Sequence, residues 1–245
     1  MKPILFLLAT ILSIAGWSQN PKSFSLNGAK QVVITSDYPS LTVENGTSQE
    51  ASVNLTGASI KATDVTSHTE GGVLYIDINF KPDEVKPVKV TYEYEDGTVV
   101  TEEGDQMRHW NYQSSPKATI TLPSSQNLKV RATYGKVTIA ERAGPMDIES
   151  TYGGITMKLP SGYDHDLKVQ SGYSFVDLSV PKSKGYSVDL SSSYGEILSN
   201  LELKVDNKKD GMHELSKTHI QGDIGSGGPL IKVCATYQNI YLRGY

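Results

Sequence analysis

Leu128-Lys-Val-Arg-Ala-Thr-Tyr134-Gly-Lys-Val-Thr-Ile139 is repeated as Met146-Asp-Ile-Glu-Ser-Thr-Tyr152-Gly-Gly-Ile-Thr-Met157. It returns as Leu167-Lys-Val-Gln-Ser-Gly-Tyr173-Ser-Phe-Val-Asp-Leu178, in shorter form from Val188 to Ile197 around Tyr194, and finally from Ile231 to Leu242 around Tyr237. Successive tyrosines lie 18, 21, 21 and 43 residues apart, so the last gap spans about two periods. A period near 20 residues marks a stacked architecture, because one unit of that size cannot bury its apolar face alone.

The phase within the unit decides the secondary structure. Apolar or small residues fall at −4, −2 and 0 relative to each tyrosine, as in Val130, Ala132 and Tyr134 or Ile148, Ser150 and Tyr152. This is period two, a strand with one buried face. Beyond the tyrosine the apolar residues shift to +3 and +5, as in Val137 and Ile139 or Ile155 and Met157. An odd offset between two even runs requires a corner. Gly135, Gly153 and Gly195 stand there, where a positive φ or a tight bend is cheap. Each unit therefore reads as strand, corner, strand. By this phase the tyrosine rings point into the core and stack at the strand spacing of about 4.8 Å.

Working outward, Val32 to Val43 fits the same frame, with Ile34, Ser36 and Tyr38 before the corner, Leu41 and Val43 after it, and Pro39 in place of glycine. The expectation is an all-β, single-stranded β-solenoid (β-helix) of roughly 20-residue rungs, regular over 118–245 and less regular over 24–117. Ile220, Gly222 and Ile224 read as the degraded rung in the long gap. Outward positions carry charge. Five residues before each tyrosine stand Lys129, Asp147, Lys168 and Asp189, an alternating column if the rungs stack in register, and Arg131 faces Glu149 in the same way.

Residues 88 to 112 break the pattern. Val88, Val90, Tyr92 and Tyr94 alternate, and Asp96-Gly97 is a hairpin turn. Glu102, Glu103 and Asp105 follow, then Arg108, Trp110 and Tyr112. Two readings stand: a recognition loop projecting from the solenoid, or a hairpin that protects a sheet edge with charge.

The first 18 residues stand apart. Lys2 precedes an apolar run from Ile4 to Ile14, and Ala15, Gly16 and Ser18 are small. This is the pattern of a signal peptide cleaved after Ser18, leaving a single domain over 19–245. The run is too short for a span of about 20 residues, so no transmembrane anchor is expected. Export to the periplasm, the cell surface or the medium follows. The formal charge of −4 and the absence of a basic stripe argue against nucleic acid.

Catalytic motifs are missing from the sequence. The histidines 68, 109, 165, 213 and 219 form no HExxH and have no metal-like cysteine partner. Gly225-Ser-Gly-Gly lacks the lysine of a phosphate loop. Cys234, the single cysteine, alternates outward with no base beside it in the pattern. No catalytic residue, cofactor or metal is expected. The alternative is a polysaccharide lyase or hydrolase on a β-helix, which would gather carboxylates, a cation or a basic residue on one outer face.

The rungs at 128–242, the segment Ile220 to Gly228 and the closing Thr236-Tyr-Gln-Asn-Ile-Tyr-Leu242 resemble a bacterial “putative adhesin” family of β-strand repeats, a domain of unknown function. The resemblance implies a single-stranded β-helix, export, and a non-enzymatic role contacting glycan, matrix or envelope components. It brings no catalytic residues.

Overall fold

The computed structural model describes residues 21–57, 60–80, 88–93, 99–104, 116–205 and 218–245. Two sheets, of nine and ten strands, face one continuous apolar core. The body is one parallel layer of Val73–Ile78 and Lys117–Pro123 followed by six tyrosine-bearing rungs, each giving one strand to each sheet. In spatial order they carry Tyr38, Tyr134, Tyr152, Tyr173, Tyr237 and Tyr194, and neighbouring rungs pair in parallel in both sheets.

The alternation predicted before each corner holds. Strand Asn127–Ala132 buries Leu128, Val130 and Ala132, and strand Met146–Ser150 buries Met146, Ile148 and Ser150. The predicted shift of phase holds too, since Val137 and Ile139 are buried on the other sheet and lie opposite Ile155 and Met157. The Val32–Val43 segment is the first rung: Ile34 pairs with Val130 and Leu41 with Val137.

The rungs do not stack in chain order. The rung of Ile231 and Leu242 inserts between the Tyr173 rung and the Tyr194 rung. Among the described residues of the long gap before Tyr237, no strand forms a further parallel rung. Strand Thr218–Ile224, which contains Ile220 and Gly222, runs antiparallel to Tyr186–Ser192, and Leu203–Val205 pairs antiparallel to it in turn. The other end is closed in the same way. Val65–Glu70 runs antiparallel to Val73–Ile78, and Glu50–Thr56 antiparallel to Lys117–Pro123. Such terminal strands turn a polar face outward and blunt the edges of a stack. A helix wound strictly rung after rung would not show the insertion.

The hairpin expected after residue 88 is present as a separate two-stranded sheet, Val88–Glu93 against Val99–Gly104, with Glu102 opposite Val90 and Glu103 opposite Lys89. Asp105, Arg108, Trp110 and Tyr112 lie outside the described residues, as do residues 1–18.

Candidate functional site: the tyrosine ridge

The tyrosines do stack as the spacing predicts. Ring centroids lie 4.7 Å apart for Tyr38–Tyr134, 5.0 Å for Tyr134–Tyr152, 4.8 Å for Tyr152–Tyr173, 4.7 Å for Tyr173–Tyr237 and 5.0 Å for Tyr237–Tyr194. No adjacent pair departs from parallel by more than 15°. Their direction is the opposite of the expectation. Tyr134, Tyr152 and Tyr173 are 50%, 47% and 49% exposed, and Tyr194 is 67% exposed. The rings form an outer ridge about 24 Å long, at the edge where the chain passes from one sheet to the other.

The physical reason lies in where the corner begins. The last inward residue of each first strand is at −2, and the chain is already turning at −1. Rung-to-rung hydrogen bonds continue through the turn: Tyr134 N–H donates to the Asp37 carbonyl at 2.7 Å, Tyr152 to Thr133 at 2.7 Å and Tyr173 to Thr151 at 2.7 Å. The core is on the concave side of this turn, so the side chain on its convex side meets water. The small residues at −2, Ser36, Ala132, Ser150, Ser171, Ala235 and Ser192, are buried where the two sheets converge. They make room for that convergence, not for the rings.

The corner glycines serve close approach. None of Gly135, Gly153 and Gly195 has a positive φ. A Cβ on Gly153 would sit 1.9 Å from the Gly135 carbonyl oxygen, one on Gly135 1.9 Å from that of Pro39, and one on Gly195 2.2 Å from that of Gln238. Backbone meeting backbone from rung to rung excludes a side chain here.

The outward charge column is real in part. Lys129, Asp147 and Lys168 lie opposite one another in register, and Lys129 Nζ is 2.6 Å from Asp147. Arg131 lies opposite Glu149 as expected. The inserted rung then places Lys232, not Asp189, beside Lys168. Asp189 follows, accepting from Lys232 at 2.9 Å and meeting His219 Nε2 at 2.8 Å. Burial raises the Asp189 carboxyl, but these two partners together outweigh it and hold it below its usual range.

Among the described residues no serine or cysteine side chain is hydrogen-bonded to a histidine. Ser187 donates to Asp223 at 2.7 Å, while His219 is engaged with Asp189. Cys234 is half-buried on the outward face, and Ser191 stands between it and His219 in register. Among the described residues no three His, Cys, Asp or Glu side chains are grouped to hold a metal ion. No described helix is long and apolar enough to cross a membrane.

A family model, Toastrack DUF4097, matches residues 20–233. The chain belongs to the Toastrack DUF4097 family. Its fold is similar to a crystal structure described as a “putative cell adhesion protein” from Clostridium sporogenes, with a TM-score of 0.62 and 9% identity over 94% of this chain and 100% of that one. A “putative adhesin” from Bacteroides fragilis aligns over 92% of this chain and 96% of that one at 9% identity, with a TM-score of only 0.24. A search of curated proteins finds no match. For this Toastrack chain, then, the first of these neighbours speaks for the fold, and function has to be argued from the ridge.

Proposed function

We propose that this Toastrack chain is an exported, non-enzymatic, adhesin-like module that meets a component outside the cell or in its envelope through the tyrosine ridge. One observation carries the reading: six tyrosines are held in register on the outside of the stack, none of them in the core. Tyrosine supplies rigid amphipathic contact area at a low cost in conformational entropy. The adhesion-related name borne by the Clostridium sporogenes neighbour supports the same reading. Export rests on residues 1–18, with the mature domain at 19–245. Glu102, Glu103, Asp105, Arg108, Trp110 and Tyr112 supply a second candidate contact region, the recognition loop. The carbohydrate-active enzyme alternative needs acid and base groups free on one face. Three of the outward carboxylates, Asp189, Asp147 and Asp177, are tied to Lys232 and His219, to Lys129, and to Arg243, which counts against that alternative.

The test is attachment. Purified 19–245 should bind producer or host cells or their envelope fractions, and Tyr152→Ser/Tyr173→Ser should lose that attachment while remaining folded. Retention of full attachment by the double variant would remove the ridge from the function. N-terminal sequencing of the native protein should begin at Gln19; an intact Met1 would overturn export.

A further inference from the structure

We propose that the ridge binds an uncharged glycan chain laid lengthwise along the six rings. The proposal rests on the ridge being the binding face, and four observations narrow the ligand.

The backbone is not available to a partner. The N–H groups of Tyr134, Tyr152, Tyr173, Tyr237 and Tyr194 all donate to the neighbouring rung. A peptide strand therefore cannot add there by main-chain pairing, and recognition falls to rings and hydroxyl groups.

The rings offer a mixed surface. Stacking occupies the faces turned toward neighbours, yet each central tyrosine residue is close to half exposed. The exposed part combines apolar carbon, the electropositive ring edge and a phenol hydroxyl that donates and accepts. A pyranose presents the complement: patches of C–H between ether and hydroxyl oxygens.

Immediately beside the rings, the centre of the ridge carries no charge. Beside Tyr152, Tyr173 and Tyr237, the preceding residues are Thr151, Gly172 and Thr236. Two positions beyond these tyrosines stand Gly154, Phe175 and Asn239. Charged residues at these positions, Asp37, Lys136 and Glu196, occur only toward the ends. An anionic polymer would have to give up water along the centre without a cation to receive it.

The site is linear, with rings repeating at 4.7 to 5.0 Å over about 24 Å. A straight repeating row matches a repeating chain better than a compact ligand. Each added sugar should find another ring until the chain spans the ridge.

The experiment uses the 19–245 protein and oligosaccharides of increasing length from cellulose, mannan and fully acetylated chitin, with heparin and polygalacturonate as anionic controls, read by calorimetry. At least one neutral series should bind, strengthening with length and levelling off once the chain exceeds about 24 Å. Tyr152→Ser/Tyr173→Ser should weaken it at least about tenfold. Tyr152→Phe/Tyr173→Phe should keep part of the affinity, since it retains the rings. Thr151→Glu/Thr236→Glu leaves every ring in place and should weaken binding as well, which separates loss of the site from loss of the fold. Failure of all three neutral series, preference for the anionic polymers, or a ridge-dependent self-association in place of binding would overturn the proposal. If the neutral series fail while ridge variants still abolish attachment to cells, the ligand class is wrong and the ridge reading survives. Attachment that ignores the ridge variants defeats both.

Discussion

The two long edges of the solenoid are built in opposite ways. At the tyrosine edge the crossing between sheets takes four residues at Tyr134, Tyr152, Tyr173, Tyr194 and Tyr237 and three at Tyr38, where the register of the flanking strands is nonetheless the same. At the return edge the crossings are 140–145, 159–166 and 181–185, all of different length. Equal length lets the same residue recur at the same place, so tyrosines stack on tyrosines and remain exposed. Unequal length forbids a ladder, and each return is sealed by its own large side chain instead. Arg142 and Tyr163 within their returns, and Tyr186 at the strand start directly after its own, are all completely buried. The same amino acid is thus a surface element on one edge and a core element on the other.

Arg142 is the strongest of these seals. It donates to the carbonyl oxygens of Pro123 at 2.7 Å and Gln126 at 3.2 Å and to Asn45 Oδ1 at 3.2 Å, and among the described residues no carboxylate forms an ion pair with it, Glu141 being paired with Lys158. Burial lowers its pKa to about 10, so it remains charged at neutral pH. The carbonyls of one turn replace the counter-ion and fasten that turn to the return loop.

Breaking the return edge should therefore cost most. Arg142→Ala strands buried carbonyls and opens a void, and should lower unfolding free energy by about 3 kcal/mol or more in urea. A loss below about 1 kcal/mol would mean that water replaces the guanidinium. At the opposite edge, Gly153→Ala forces a Cβ to within 1.9 Å of the Gly135 oxygen. Parting the rungs there should cost about 2 kcal/mol, with the same change at the open Gly162 close to silent. Equal melting of the two variants would show that the corners can separate freely.

The third test has the opposite sign. Tyr186 Oη is buried without a partner. Tyr186→Phe should stabilise by about 1 kcal/mol at neutral pH. Burial, the largest cause, with smaller contributions from Tyr245 and Asp164, pushes the Tyr186 phenol up to about 12. Its unfolded pKa lies near 10. A raised pKa makes its contribution complete below the unfolded value and lost as pH climbs from about 10 to about 12. The wild type should therefore lose stability faster than Tyr186→Phe across that window, and parallel curves would refute the assignment. The smallest effect belongs to the outward column. Asp147→Lys puts lysines on successive rungs from Lys129 through Lys232, and should cost about 1 kcal/mol at most, shrinking in high salt. A cost that does not respond to salt would mean that packing, not charge, was lost.

Much of this was written in the chain. The period near 20 residues, the alternation at Val130 and Ile148, the phase shift to Val137 and Ile155, and the stacking interval of the tyrosines all follow from local pattern, because strand geometry fixes which residues share a face. Three things did not. The outward turn of the rings depends on the corner starting one residue before the tyrosine, and alternation by itself carries no information on where a bend begins. The order of the rungs, with Tyr237 ahead of Tyr194, depends on which strand completes which edge, and near-identical repeats leave that choice open in the sequence. The glycines were legible as corner residues, but their cause was not. A positive φ is a property of one residue, whereas the 1.9 Å approach of Gly153 to Gly135 exists only once two rungs 18 residues apart have been stacked.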